Sequence, residues 1–244
     1  MIENVLREAL LATAQSMGSL GLNTGTAGNA SVRCHDNLLI TPTGCDYASC
    51  TPSDMVLMAM DGTWQGHCAP SSEWRIHRDI LAARPEAGAV LHAHSPFATA
   101  LACHRRGIPA FHYMIARFGG TDIRCAPYAT FGTQALSDGA LAALEDRSAC
   151  LLANHGMLVI GSDLRRALAL AVEFESLCAQ FWRACQIGTP TLLSDAEMAD
   201  VLAWLATLAN VRGIDLGGAF RRKYLGGCPG CGRSPCECDP LEKP

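Results

Sequence analysis

The sequence predicts an α/β fold in which a mixed sheet is layered between helices. Stretches with strand and helix periodicity alternate along the chain without a strict strand–helix–strand repeat, so the sheet is not purely parallel. Two pairs of short strands are joined by turns too tight for a helical crossover, which makes them antiparallel hairpins. At 244 residues the chain is long enough for one sizeable core and short for two.

Residues 2–18 have helical spacing and stop at Gly18 and Gly21. A glycine-rich stretch, 21–30, leads into strands at 30–34 and 38–41, with His35-Asp-Asn37 as the turn. Met55–Met60 reads as a strand, followed by an Asp61-Gly62 turn and an edge strand near Trp64. Pro70-Ser-Ser-Glu73 opens a helix reaching about Arg84, with Ser71 or Ser72 as cap and Glu73 in the first turn. A strand follows at 89–95, then a helix from Pro96 to about Arg106, a loop over 113–120 and a strand near Ile123–Cys125. A helix over 137–146 precedes a hairpin joining 150–153 to 157–160. The longest helix, about 163–186, is apolar on several faces, which suggests an interface, and a last helix spans about 195–208.

The first 212 residues form the expected folded domain, and 213–244 a Gly/Pro/Cys-rich tail. Charged residues make up only 17% of the chain against 49% hydrophobic, which suggests surface covered by other copies of the chain, although an unusually apolar monomer also fits. A net charge of −4 gives no general affinity for nucleic acid, and no apolar stretch is long enough to span a membrane. The N-terminus lacks the uninterrupted apolar run of a secretory signal. Nine of the 13 cysteines are scattered singly through apolar segments, which fits reduced, buried thiols in the cytoplasm. The other four, Cys228, Cys231, Cys236 and Cys238, could hold a structural Zn²⁺ or belong to an unmetallated tail.

Chemistry concentrates at three histidines. His92 and His94 end an apolar strand, and side chains two apart on a strand point the same way. His155 ends a similar run, Ala149-Cys-Leu-Leu-Ala-Asn-His. Three neutral imidazoles on strand ends would hold Zn²⁺ or a similar ion with positions left open, although a lone His-x-His also fits ordinary histidines. Gly28-Asn29, Thr43-Gly44 and Ser71-Ser72 look like anion cradles, each of which, alone, also fits a turn or a helix cap. Glu73 would lie between metal and anion, placed to move a proton beside a polarised carbonyl. A Schiff base has no candidate there, because the only lysines are Lys223 and Lys243.

The segments Gly28-Asn-Ala-Ser-Val-Arg33, Ile40-Thr-Pro-Thr-Gly44, Pro70-Ser-Ser-Glu73, His92-Ala-His94 and Asn154-His-Gly156, in this order and spacing, resemble the class II aldolase/adducin-type family. Phe111–Ile115 and Cys125–Thr133 also read like its ketose-phosphate members, and the likeness runs over about residues 1–208. The resemblance implies a three-layer αβα fold with a central mixed, mainly antiparallel sheet flanked by helices. It implies Zn²⁺ held by His92, His94, His155 and Glu73, with Glu73 as acid/base. Gly28, Asn29, Thr43, Gly44, Ser71 and Ser72 would bind a substrate phosphate, and Phe131 would line the site. Tyr113 would reach in from a neighbouring subunit of a homotetramer to handle the proton on the aldehyde oxygen. The implied reaction is reversible cleavage of a (deoxy)ketose 1-phosphate, such as L-fuculose 1-phosphate or a 5-deoxypentulose 1-phosphate, into dihydroxyacetone phosphate and a short aldehyde.

Two departures stand out. The family's aldolases close a C-terminal tyrosine over the site, but Leu205–Asn210 contains none, and Tyr224 lies farther along the tail. The Cys-rich tail has no counterpart in them. Pentulose-phosphate 4-epimerases carry an acid where this chain has Ala116, which counts against epimerisation. These epimerases share the metal site; sugar-acid phosphate decarboxylases and a methylthioribulose phosphate dehydratase are further relatives. Adducin-like members have lost the metal ligands and serve as interaction modules, and the intact His92, His94, His155 and Glu73 argue against that role.

Overall fold

A computed structural model describes residues 2–201. Within the compact unit that ends at Ser194 the helices are α1 (Ile2–Ser19), α2 (Trp74–Ala83), α3 (Pro96–Ala102), α4 (Gln134–Ala143) and α5 (Leu164–Ile187). The strands are β1 (Asn29–Cys34), β2 (Asn37–Ile40), β3 (Val56–Ala59), β4 (Trp64–Gln65), β5 (Ala89–Ala93), β6 (Arg124–Ala126), β7 (Ala149–Leu152) and β8 (Gly156–Gly161). They form one sheet in the order β4-β3-β2-β1-β5-β8-β7-β6, antiparallel throughout except for the β6/β7 pair. The expected mixed, mainly antiparallel sheet is therefore present. The helix expected from Asp195 starts there, in a second compact unit, and is described as far as Val201. No helix among the described residues is long and apolar enough to cross a membrane.

Helices cover both faces. On one, α2 and α4 bury Ile76, Ile80, Leu136 and Ala140 against Leu38, Ile40, Val90, Leu152 and Leu158. On the other, α1, α3 and α5 pack over the alternate strand residues, such as Leu39, Leu91, Leu151 and Val159. Burial on both faces explains why β5, β7 and β8 read as unbroken apolar runs although their pairing is antiparallel. The Arg33 guanidinium, reaching from β1, donates to the carbonyls of Leu81, Arg84 and Ala87, and so fixes the C-terminal end of α2 on the sheet.

Four local expectations need correction. First, α2 begins at Trp74, with Glu73 at the N-cap position, where its side chain makes no capping hydrogen bond. Pro70 is drawn into a bridge with Pro42, and the Ser71 N–H donates to the Thr41 carbonyl (3.0 Å), which holds the segment extended. Second, α4 starts three residues before Ser137, because Thr133 accepts from the Leu136 N–H and caps it there. Third, the segment from Tyr113 to Phe118 is a 3₁₀ turn that ends at Gly119, whose φ is 102°. Fourth, the nine single cysteines are free thiols, but Cys103 and Cys185 are exposed and only Cys34, Cys150 and Cys178 are fully buried.

Candidate active site

Strand β5 delivers His92 and, one residue past its end, His94, on one side of the sheet edge. Between β7 and β8 the chain turns over three residues, with Asn154 at φ 53°, a left-handed conformation that asparagine tolerates well. This turn lays His155 beside the β5 histidines. A side chain at Gly156 would collide with the Ala93 carbonyl and crowd the His94 ring, so glycine is what permits the approach.

The three imidazoles stand nearly symmetrically, with ring centroids 4.7–4.8 Å apart and ring planes at 67–74°. His92 Nε2 lies 2.9 Å from His94 Nε2 and 3.2 Å from Glu73 Oε2, and His155 Nε2 is 3.4 Å from Glu73 Oε1. The four ligand atoms all fall within 4.8 Å of one another. His92 Nδ1 is 2.9 Å from the Met157 carbonyl, an acceptor only, so Nδ1 carries the proton and the Nε2 lone pair faces the cluster.

Burial lowers the pKa of His155 to about 4 and also lowers that of His94. Both imidazoles are therefore neutral at pH 7. Burial pushes the Glu73 carboxyl up, but His92, His155 and the Asn29 amide together outweigh it and hold the group below the carboxylate range. Three neutral nitrogens and one carboxylate converge, and Glu73 Oε1 is buried without a hydrogen-bond partner. Leaving such an oxygen unpaired is costly, and a divalent cation is what this donor set fits.

Beside the cluster lies a cleft of about 280 Å³. Its walls include all six residues read as anion cradles (Gly28, Asn29, Thr43, Gly44, Ser71 and Ser72), together with Phe131, Glu73, His94 and His155. The Pro42/Pro70 bridge and the hydrogen bond from Thr43 N–H to the Ala69 carbonyl (3.1 Å) tie two of the cradles together. The positive φ of Gly28 (74°) and Gly44 (65°) turns the backbone tightly at the cleft wall. No lysine or arginine among the described residues lines the cleft, so an anion there meets amides and hydroxyls.

Tyr113 is not on the cleft of its own chain. It stands half-exposed on its 3₁₀ turn with its ring against His112. Asn29 donates from Nδ2 to Glu73 Oε2 (2.9 Å), so its amide serves the carboxylate as well as the cleft wall. Cys228, Cys231, Cys236, Cys238, Tyr224 and Leu205–Asn210 lie outside the described residues.

Several contributors escaped the sequence reading. Tyr47 lines the cleft and donates from its hydroxyl to the Gly28 carbonyl (2.9 Å), bracing that cradle. Glu175, on α5, accepts from Ser95 Oγ (2.6 Å) and from the N–H groups of Phe97 (2.8 Å) and Ala98 (2.9 Å), anchoring the chain just after His94. Nothing local in the sequence points to Glu175, whose partners lie about 80 positions away.

Residues 8–182 match the model of the class II aldolase and adducin N-terminal domain. The chain belongs to the class II aldolase and adducin family. Among its relatives in this family, the 5-methylthioribulose-1-phosphate/5-deoxyribulose-1-phosphate aldolase of Rhodospirillum rubrum is 56% identical over 197 residues, which is 81% of this chain and 89% of the relative. The L-fuculose phosphate aldolase of Escherichia coli is 46% identical over 203 residues, covering 83% of this chain and 94% of the relative. A solved structure of an L-fuculose 1-phosphate aldolase superimposes with a TM-score of 0.79 at 37% identity, over 82% of this chain and 96% of its own. This class II fold is the three-layer arrangement described above.

Proposed function

We propose that the chain is a Zn²⁺-dependent aldolase that reversibly cleaves a ketose 1-phosphate into dihydroxyacetone phosphate and a short aldehyde. The observation that carries this reading is the shared cleft: a three-histidine, one-carboxylate cluster at one end and an anion cradle at the other. The relatives named above act, by their names, on 5-deoxypentulose, 5-methylthiopentulose and fuculose phosphates, and we take a 5-deoxy- or 5-methylthiopentulose 1-phosphate as the leading substrate.

His92, His94, His155 and Glu73 would hold the cation. When bound, it supplies Lewis-acid stabilisation of the negative charge that develops as the carbon–carbon bond breaks. The phosphate is received by backbone amides and hydroxyls of Gly28, Thr43, Gly44, Ser71 and Ser72, with the Asn29 side chain between phosphate and carboxylate. Glu73, ionised and next to the reacting carbons, carries the proton to and from the carbon of the dihydroxyacetone phosphate half. Tyr113 of a neighbouring copy in a homotetramer handles the proton on the aldehyde oxygen, which accounts for its exposure and its distance from its own cleft. Phe131, largely exposed at the cleft mouth, lines the aldehyde side. The reaction would run in the cytoplasm.

Incubation with the 1-phosphates of 5-deoxyribulose, 5-methylthioribulose and fuculose, with dihydroxyacetone phosphate measured by enzymatic reduction, tests the proposal. Metal-dependent release from at least one of the three is expected. Release from none of them, by protein carrying a full complement of divalent ion, overturns it.

A further inference from the structure

Behind Glu73 the polar groups continue into the core. Asn29 and Ser31 lie two apart on β1 and so share a face, while His77 follows Glu73 by four positions and lies on the same side of α2. His77 Nε2 is 2.5 Å from Asn29 Oδ1, and His77 Nδ1 is 2.8 Å from Ser31 Oγ. His77 and Ser31 are both 0% exposed and Asn29 is 4% exposed, so solvent does not complete these contacts.

The direction of every bond follows from the carboxylate. Glu73 accepts only, so Asn29 must turn its Nδ2 donor toward it. That leaves Asn29 Oδ1, an acceptor, facing His77, and Nε2 of His77 must carry the ring proton. Nδ1 then accepts from the Ser31 hydroxyl. Each group has one role, and the opposite tautomer of His77 would reverse the Asn29 amide and set its oxygen against the carboxylate. Burial holds the His77 pKa down to about 3, with Glu73 opposing, so the ring stays neutral.

We propose that His77 is a positioning residue: anchored at Nδ1 by Ser31 and donating from Nε2 to Asn29 Oδ1, it locks the Asn29 amide with Nδ2 toward Glu73, and so fixes the carboxylate for metal binding and proton transfer. This rests on the aldolase reading for its consequence in catalysis, but its consequence for metal binding does not depend on any substrate.

The test therefore reads both. His77→Phe keeps the ring volume and removes both nitrogens, and His77→Gln retains a donor for Asn29 and an acceptor for Ser31. The dissociation constant for Zn²⁺, measured on the full-length apoprotein by competition with a chromogenic chelator, should rise about 10–100-fold in His77→Phe, the usual cost of losing a group that orients a metal ligand. In His77→Gln it should return most of the way to wild type. If a substrate is in hand, kcat should fall with KM little changed. In an Asn29→Ala background, His77→Phe should then add little, because its effect passes through Asn29. A residue that merely fills the core would instead lower stability while leaving the affinity unchanged and its effect additive. Should His77→Phe fail to fold, Ser31→Ala is read in its place, and a several-fold weaker Zn²⁺ affinity is expected as the His77 ring loses its anchor at Nδ1. Wild-type affinity in the folded variant, or a full effect that persists without Asn29, overturns the proposal. Failure of all wild-type cleavage assays with the affinity loss intact would sink the aldolase reading alone.

Discussion

The carboxylate of Glu175 holds together the entry to α3 and the exit from the histidine strand, and Glu175→Ala should be felt in both. Three donors use it: the hydroxyl of Ser95, which is wholly buried, and the backbone N–H groups of Phe97 and Ala98 in the first turn of α3. Ser95, although at the N-cap position, makes no capping hydrogen bond of its own, so the carboxylate from α5 serves as the cap. Each buried donor left unpaired costs about 1–3 kcal/mol, and with water reaching part of the gap the total comes to roughly 3–5 kcal/mol. For a folded unit of this size that corresponds to a drop in Tm of roughly 6–20 °C. Glu175→Gln keeps one acceptor oxygen and loses the charge, so about half of that drop is expected, since hydrogen bonds to charged groups are about twice as strong. Thermal unfolding of the metal-free protein by circular dichroism measures both. His94 precedes Ser95 directly, so the Zn²⁺ affinity of Glu175→Ala should weaken as well. A Tm within about 2 °C of wild type would show that water or another group takes over the donors, and the reasoning would fail.

Other substitutions probe the site itself. His155→Ala should abolish aldol cleavage together with the bound divalent ion, measured by elemental analysis of protein truncated after Gly213 so that the tail cysteines do not enter the count. Glu73→Gln should still bind the ion through the three imidazoles, more weakly than wild type, yet at saturating metal lose roughly 10²–10⁴-fold in kcat if Glu73 is the acid/base. Full activity in that variant would assign the proton to another group. His77 gives a pH signature: the unfolded chain takes up a proton at this histidine near pH 6.5, the folded chain only near 3. Its folded pKa being depressed, the stability it contributes is complete above about pH 6.5 and falls as the pH drops toward 3. In urea titrations of metal-free protein, His77→Gln should therefore lose less stability than wild type between pH 7 and 4. An equal loss would mean that His77 is not held neutral.

The histidine pair was legible in the sequence because a strand repeats every two residues and the apolar run fixes the strand. Its meaning came only from His155, more than 60 positions away, which the β5/β8 pairing brings alongside. The order of the sheet was less accessible. Hairpin turns announce β1/β2 and β7/β8, whereas β1/β5 and β5/β8 pair across long stretches of chain and leave no local mark. From the sequence, Glu73 falls in the first turn of its helix, between metal and anion, as an acid/base. In the fold it stands one residue earlier, turned toward the imidazoles and Asn29, which are stronger partners than a helix end. His77 belongs to none of the motifs read from the sequence. The signal that could have found it was paired spacing: Glu73 and His77 four apart, with Asn29 and Ser31 two apart on a strand, set four polar side chains face to face in what is otherwise core.

Asn29 is where the two halves of the cleft meet, and on the proposed reading its position explains how an anion can be held with no lysine or arginine among the described residues lining the cleft. A dianionic phosphate near the Glu73 carboxylate would be repelled if the two shared only a low-dielectric wall. Neutral donors lower that cost without adding a competing cation that could pair with Glu73 and draw it away from the histidines. The amide of Asn29, polarised from behind by His77, gives Glu73 a donor on the core side, so the carboxylate does not depend on the phosphate side for its hydrogen bond. In the proposed reaction the anion and the acid/base can then be close neighbours, and the positive charge that both would require enters at one place, the point on which the three imidazoles converge.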